Sequence, residues 1–150
     1  MIDALYSDRI LKLVANMPRA GRLAEPQGTA ERVAKLCGST VVVDVMLDAE
    51  GSVAGFAQDV RACALGQACA AIVAEQIIGA TLEEVEMARD QLRAMLKDAG
   101  PAPTGRFADL AILETVKDYP ARHASTMIPL EAAADAVRQA LDRTRIAGTA

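Results

Sequence analysis

Apolar and polar positions recur along this chain with two different periods. Between Asp3 and Asn16, the residues Leu5, Ile10, Leu11, Leu13 and Val14 fall at helical spacing and form one broad stripe. This predicts a first helix with Asp3 as its N-cap. Asn16-Met17-Pro18 ends it, because the residue before a proline avoids the α region. Arg19 to Gln27, with Gly21 and Pro26, reads as an irregular connector. The period then drops to two. In Thr40–Leu47 the residues Val41, Val43, Val45 and Leu47 share one face, and Thr40, Val42, Asp44 and Met46 share the other. A β-branched run of this kind is a strand. Asp48-Ala-Glu-Gly51 supplies a hairpin turn, and Ser52 to Val60 returns as a second strand. Residues 29–36 have helical propensity but also alternate. A two-stranded hairpin is marginal alone, so this segment is assigned as a third strand.

Beyond Ala64 the pattern becomes helical and small-sided as far as Ile78, with Gly79 expected as its C′ residue. Thr81 and Glu84 have capping-box spacing and open a helix to about Lys97, with Leu82, Val85, Leu92 and Leu96 on its core side. A Gly- and Pro-containing loop follows over 98–105. Phe107 to Val116 reads as a short helix carrying Leu110 and Leu113, broken at Tyr119-Pro120. Ala121 to Ile146 is the last helix, with Pro129 near its first turn or at a kink.

Composition narrows the picture. The 150 residues fit one domain able to bury a core without staples. They are 52% hydrophobic but only 3% aromatic, so aliphatic side chains and Ala must fill the interior. The net charge of −4 argues against nucleic acid, whose phosphates call for a cationic face. Asp3, Asp8 and Arg9 interrupt the first apolar stretch too early for a signal peptide, and no run approaches a membrane span. The expectation is a soluble, cytoplasmic protein. Three cysteines exclude a complete disulfide framework, and in a reducing compartment they are thiols, ligands or nucleophiles.

All three cysteines lie between Lys35 and Cys69. Cys37 precedes Gly38 at a tight turn leading into the central strand. Cys63 sits where the return strand ends and a helix begins, and unpaired N–H groups at a helix start favour a negatively charged sulfur. Neighbouring ends of an antiparallel hairpin can bring these two thiols together across the 25 intervening residues. Cys69, six residues further on, turns to another helix face among Ala68, Ala70 and Ala71, and is assigned to the core.

These motifs resemble the iron–sulfur cluster assembly scaffolds of the IscU and NifU N-terminal family. Cys37-Gly38-Ser39 is similar to that family's Cys-Gly-Asp before a strand. Ala62-Cys63-Ala64-Leu65-Gly66-Gln67-Ala68-Cys69-Ala70 is similar to its Cys-containing turn into a helix. Pro120-Ala121-Arg122-His123-Ala124-Ser125 is similar to the stretch that precedes its third cysteine, and Tyr6, Pro18 and Gly21 to its N-terminus. The resemblance spans roughly residues 4–142. It implies an α+β fold, a three-stranded antiparallel sheet with helices packed on one face. It further implies a non-enzymatic scaffold or carrier binding iron or sulfur through Cys37 and Cys63, with a cysteine desulfurase and recipient apoproteins as partners.

The departures are specific. Ser39 stands where the family has Asp, and Ser125 where it has the third Cys. Some members carry His just before that cysteine; here the position is Ala124, and His123 lies one residue earlier. A 2Fe-2S cluster takes about four protein ligands, mostly thiolates. Three readings stay open. The chain carries a cluster, its missing ligands coming from a second protomer, a thiol cofactor or His123; it binds zinc or persulfide sulfur; or it has kept the fold as an interaction module. Cys37, Cys63, Ser39, His123 and Ser125 are the candidate site. Ser125-Thr126 could instead cap the last helix, Arg122 could serve in a salt bridge, and Glu83, Glu84, Glu86 and Asp90 are assigned to a solvated face. A Cys37–His123 nucleophile pair lacks any oxyanion motif, so no catalytic residue is assigned.

Overall fold

The computed structural model describes residues 8–149, with side chains described from 8 to 144. The expected N-cap Asp3, with Leu5 and Tyr6, lies outside the described residues. Helix α1 spans Asp8–Ala15 and buries Ile10. Three strands follow, β1 (Gly28–Ala34), β2 (Ser39–Leu47) and β3 (Val53–Arg61). They form one antiparallel sheet in the order β1-β2-β3, so residues 29–36 do contribute a strand, although it ends at Ala34. Helices α2 (Ala64–Gln76), α3 (Leu82–Asp98) and α4 (His123–Thr149) complete the chain. No helix among the described residues is long and apolar enough to cross a membrane.

The alternation in β2 is the organising signal. Val41, Val43, Val45 and Leu47 are buried beneath the helices, opposite Val60, Gln58, Phe56 and Val53 of β3. A register shift between Met46 and Leu47 accompanies the hairpin turn, where Gly51 adopts the expected positive φ and Asp48 Oδ1 accepts from the N–H groups of Glu50 and Ser52. Helix α2, apolar or small on nearly every side, is buried over most of its length, and α4 turns Met127, Ile128, Leu130, Val137 and several Ala residues inward. Their Ala residues permit close approach. At Gly28 the strand lies directly against the α4 backbone at Ala136 and Ala140, where a Cβ would collide.

The opposite sheet face carries the buried Asp44. Its carboxylate accepts from Arg22 Nε (2.6 Å), Leu23 N (3.0 Å) and Thr29 Oγ1 (2.8 Å), tying the 19–27 connector across that face. The same connector covers the β3 edge, with Gly21 N donating to Gln58 O and Gln58 N to Arg19 O, which protects an otherwise unpaired row of backbone groups.

Two local expectations are corrected. The 107–116 segment is 3-10 rather than α-helical, part of a stretch over Gly105–Asp118 that is kinked at Phe107, and is followed by a second short 3-10 turn, Pro120–Arg122. Arg106 explains part of this. Its guanidinium donates to the carbonyls of Gln76, the last residue of α2, and of Ile78 and Gly79 just past it, and binds Glu84, which anchors the start of the segment. Gly79 is not the C′ residue of α2, whose C-cap is Ile77; its positive φ instead turns the chain so that its N–H reaches Val53 O. The acidic residues assigned to a solvated face are all exposed or partly exposed, Glu84 completing a capping box with Thr81 and Glu86 and Asp90 pairing with Arg138, Arg89 and Arg93.

Candidate functional site

The site forms where the β1–β2 turn, the start of α2 and the start of α4 meet. Residues 35–38 are the turn between β1 and β2, and Gly38 takes φ +71°, a conformation that favours glycine. Gly38 N bonds back to Ala34 O, and this tight closure leaves Cys37 exposed at the tip. Cys63 is the N-cap residue of α2. Its backbone is extended, and its side chain makes no capping bond to the first turn. Ser125 lies in the first turn of α4.

Hydroxyls link the two thiols. The Cys37 sulfur lies 3.0 Å from Ser39 Oγ, and the Cys63 thiol donates to Ser125 Oγ at 3.5 Å. Ser125 Oγ is also close enough to Cys37 to favour its ionised form. Four of the predicted residues, Cys37, Ser39, Cys63 and Ser125, therefore come together. Both serines are almost fully buried, Ser39 at 3% and Ser125 at 1% exposure, whereas Cys37 is exposed and Cys63 half-buried. The hydroxyls occupy the inner side of the thiols and leave the outer side to solvent. The Ser39 hydroxyl, above all, holds the Cys37 thiol below its ordinary pKa; partial burial opposes this, and backbone N–H groups and Ser125 assist.

The remaining candidates separate from this group. His123 is buried, with its Nε2 within 3.0 Å of Val116 O and 3.2 Å of Lys117 O. There it closes off the end of the 3-10 segment. Among the described residues no three of His, Cys, Asp and Glu are placed to hold one metal ion, so Cys37, Cys63 and His123 do not form a trio. Ser125 and Thr126 do not cap α4 in the expected sense; both hydroxyls donate back to Arg122 O. Cys69 is fully buried, and that burial pushes its thiol up to about 12.

Two residues that build the junction were not marked by chemistry in the sequence. A Cβ on Gly66 would lie 2.8 Å from Ser125 O and 2.9 Å from the Ala62 Cβ, so only glycine lets α2 sit this close to α4. Pro129 has no N–H to donate to the carbonyl four residues back, and that carbonyl is Ser125 O, the one facing Gly66. The available signal was spacing: a glycine one turn after Cys63, and a proline one turn after Ser125.

Comparison with known proteins identifies the family and the fold. The family described as the NifU-like N terminal domain matches residues 5–126. A nitrogen-fixing NifU-like protein (N-terminal) from Brucella abortus has a crystal structure similar to this one, with a TM-score of 0.90 and 50% sequence identity over 94% of this chain and 97% of that one. A putative iron-sulfur cluster assembly scaffold protein for the SUF system from Fervidobacterium islandicum gives a TM-score of 0.81 at 21% identity, covering 89% of this chain and 96% of that one. At that identity the likeness is one of fold. No curated protein matches the chain.

Proposed function

This chain belongs to the NifU-like N-terminal domain family, and from that premise we propose that it is a scaffold on which an iron–sulfur cluster is assembled before passing to a recipient protein. Cys37 and Cys63 are the attachment points for this cargo, a 2Fe-2S unit in this reading. The observation that carries the proposal is the convergence of two thiols at one end of the sheet on the Ser125 hydroxyl, which meets both Cys63 and Cys37. Iron is bound by thiolates, each thiol giving up its proton as the bond forms. A half-exposed pair of sulfurs at a sheet end can receive iron and sulfide and remain within reach of an acceptor. A cysteine desulfurase as sulfur donor and apoproteins as recipients are the partners this role requires.

The same geometry suits a sulfur-accepting step. The Cys37 thiolate would attack the outer sulfur of a donor persulfide, forming a new persulfide on Cys37 and releasing the donor's thiolate. Its exposure and its lowered pKa favour this step.

The test is anaerobic reconstitution with ferric iron and sulfide, followed by addition of an apo-ferredoxin. A visible chromophore that forms on this chain, moves to the acceptor, and is lost in Cys37→Ala and Cys63→Ala is the expected result. Wild-type protein that stays colourless and metal-free, with both thiols fully alkylated, would remove the proposal.

A further inference from the structure

Two of the three thiols face one oxygen. The Cys63 thiol donates to Ser125 Oγ at 3.5 Å, and the same hydroxyl meets Cys37. Ser39 Oγ, 3.0 Å from the Cys37 sulfur, holds that sulfur from the sheet side. Cys69 takes no part, being fully buried in the core. The site therefore pairs one exposed sulfur with one half-buried neighbour, and the remaining cysteine is out of reach.

The Cys37 side of this pair can move. Residues 35–38 are all exposed, and a backbone bond from Gly38 N to Ala34 O closes the turn. A Cβ at Gly38 would meet nothing within 4 Å, so no packed neighbour pins the turn there. Segments with exposed backbone and few buried contacts open at low free-energy cost. Cys63, by contrast, is the N-cap of α2, a helix buried over most of its length. A disulfide asks for Cβ atoms about 3.5–4.5 Å apart. Reaching that spacing calls for a shift of the exposed tip and leaves the core in place.

We propose that Cys37 and Cys63 form a reversible disulfide when a hydroperoxide reaches the site, and that this bond shuts the site to iron until a dithiol reduces it. The covalent step rests on the geometry of the thiols; its effect on loading rests on the scaffold reading above. With hydrogen peroxide the chemistry takes two steps. The Cys37 sulfur attacks the O–O bond. An S–O bond forms, O–O breaks, and the departing hydroxide takes the Cys37 proton and leaves as water. The Cys63 sulfur then attacks the Cys37 sulfur. An S–S bond forms, S–O breaks, and the second oxygen leaves as water with the Cys63 proton. Two thiols give up two electrons, and one peroxide becomes two waters. An exposed sulfur with no such neighbour goes on to sulfinic acid, which a dithiol does not reverse; the disulfide spares Cys37 that loss and stays open to thiol exchange. Iron is bound by thiolate, so neither sulfur can hold it while the S–S bond lasts.

The experiment treats reduced, metal-free, full-length protein with a small excess of hydrogen peroxide and reads intact mass and linked peptides. Cys69→Ala is run beside wild type, since it leaves only the two thiols in question. The expected product in both is a monomer lighter by two hydrogens, joined between Cys37 and Cys63, which takes up no iron or sulfide. Dithiothreitol should restore its mass and its loading. Cys63→Ala, treated alike, should gain oxygen on Cys37 and keep it after dithiothreitol. Wild type that gains oxygen on Cys37 while Cys63 stays open to alkylation overturns the proposal, as does a disulfide formed only between chains. Oxidised protein that loads as fully as reduced protein overturns the shut-off. Reduced wild type that fails to load, while the linked product still forms, removes the scaffold reading and leaves the disulfide standing.

Discussion

The Sγ of Cys63 lies 3.5 Å from the Oγ of Ser125, although 62 positions separate them in the chain. The contact depends on backbone more than on either side chain. Gly66 lets the first turn of α2 close onto Ser125 O, and Pro129 withholds the N–H that would otherwise occupy that carbonyl. Ser39, across the turn from Cys37, completes the group from the sheet side.

Gly66→Ala should therefore destabilise the fold by about 1–3 kcal/mol through overpacking. The added methyl meets the backbone oxygen of Ser125, and a backbone atom cannot swing aside. The urea midpoint measures the loss. Cluster loading per folded molecule should also fall, because the methyl pushes Cys63 away from Ser125; unchanged loading with unchanged stability would show that the close approach is not required.

Ser39→Ala should slow alkylation of Cys37 severalfold at neutral pH. The Ser39 hydroxyl is the largest cause of the lowered Cys37 pKa. Removing it lets the pKa rise, so a smaller fraction is thiolate and the rate–pH profile moves to higher pH. Ser39→Thr keeps a hydroxyl and should restore the profile. Iodoacetamide kinetics, with Cys37 followed by peptide mass, make the measurement.

Asp44→Asn should cost about 1–3 kcal/mol near neutral pH, in line with losing hydrogen bonds to a charged group. Burial alone would raise the Asp44 pKa, but Arg22, Thr29 and the Leu23 N–H outweigh it and leave the folded-state value lowered. A carboxylate with a lowered folded pKa stabilises the protein above its unfolded pKa, and that contribution is lost as pH falls through the folded value. Denaturant melts from neutral to acid should show the gap between wild type and variant closing at low pH.

Cys69→Ala should cost about 1–2 kcal/mol by leaving a small void, with cluster loading per folded molecule unchanged. In the native protein the Cys69 thiol, fully buried and pushed up to about 12, should resist alkylation that modifies Cys37 and Cys63. Labelling of Cys69 should appear only with unfolding.

The sheet was legible because β2 alternates so regularly that its buried face and its turn follow from three valines, a leucine and Gly51. The pairing of Cys37 with Cys63 was legible for a related reason, since hairpin geometry brings those chain positions to one end. Separation of Cys69 followed from helical rotation and its alanine neighbours. The 3-10 segment was not legible: its start is anchored by Arg106 gripping carbonyls about 30 residues earlier, a contact with no local signature. His123 also belongs to this class. Its position beside the third-cysteine stretch suggested a ligand, but its Nε2 meets carbonyls of the 3-10 segment that a helical reading of 107–116 would have placed differently. The roles of Gly66 and Pro129 became visible only once α2 and α4 were seen in contact.

The central claim is that this chain carries iron and sulfide on Cys37 and Cys63. Elemental analysis of protein purified without oxygen tests it most directly, comparing wild type with Cys37→Ala, Cys63→Ala and Cys69→Ala. The account predicts iron and acid-labile sulfide in equal amounts in wild type and Cys69→Ala, and neither in the other two variants. Iron and sulfide retained in Cys37→Ala and Cys63→Ala, or absent from wild type even after reconstitution, would contradict it.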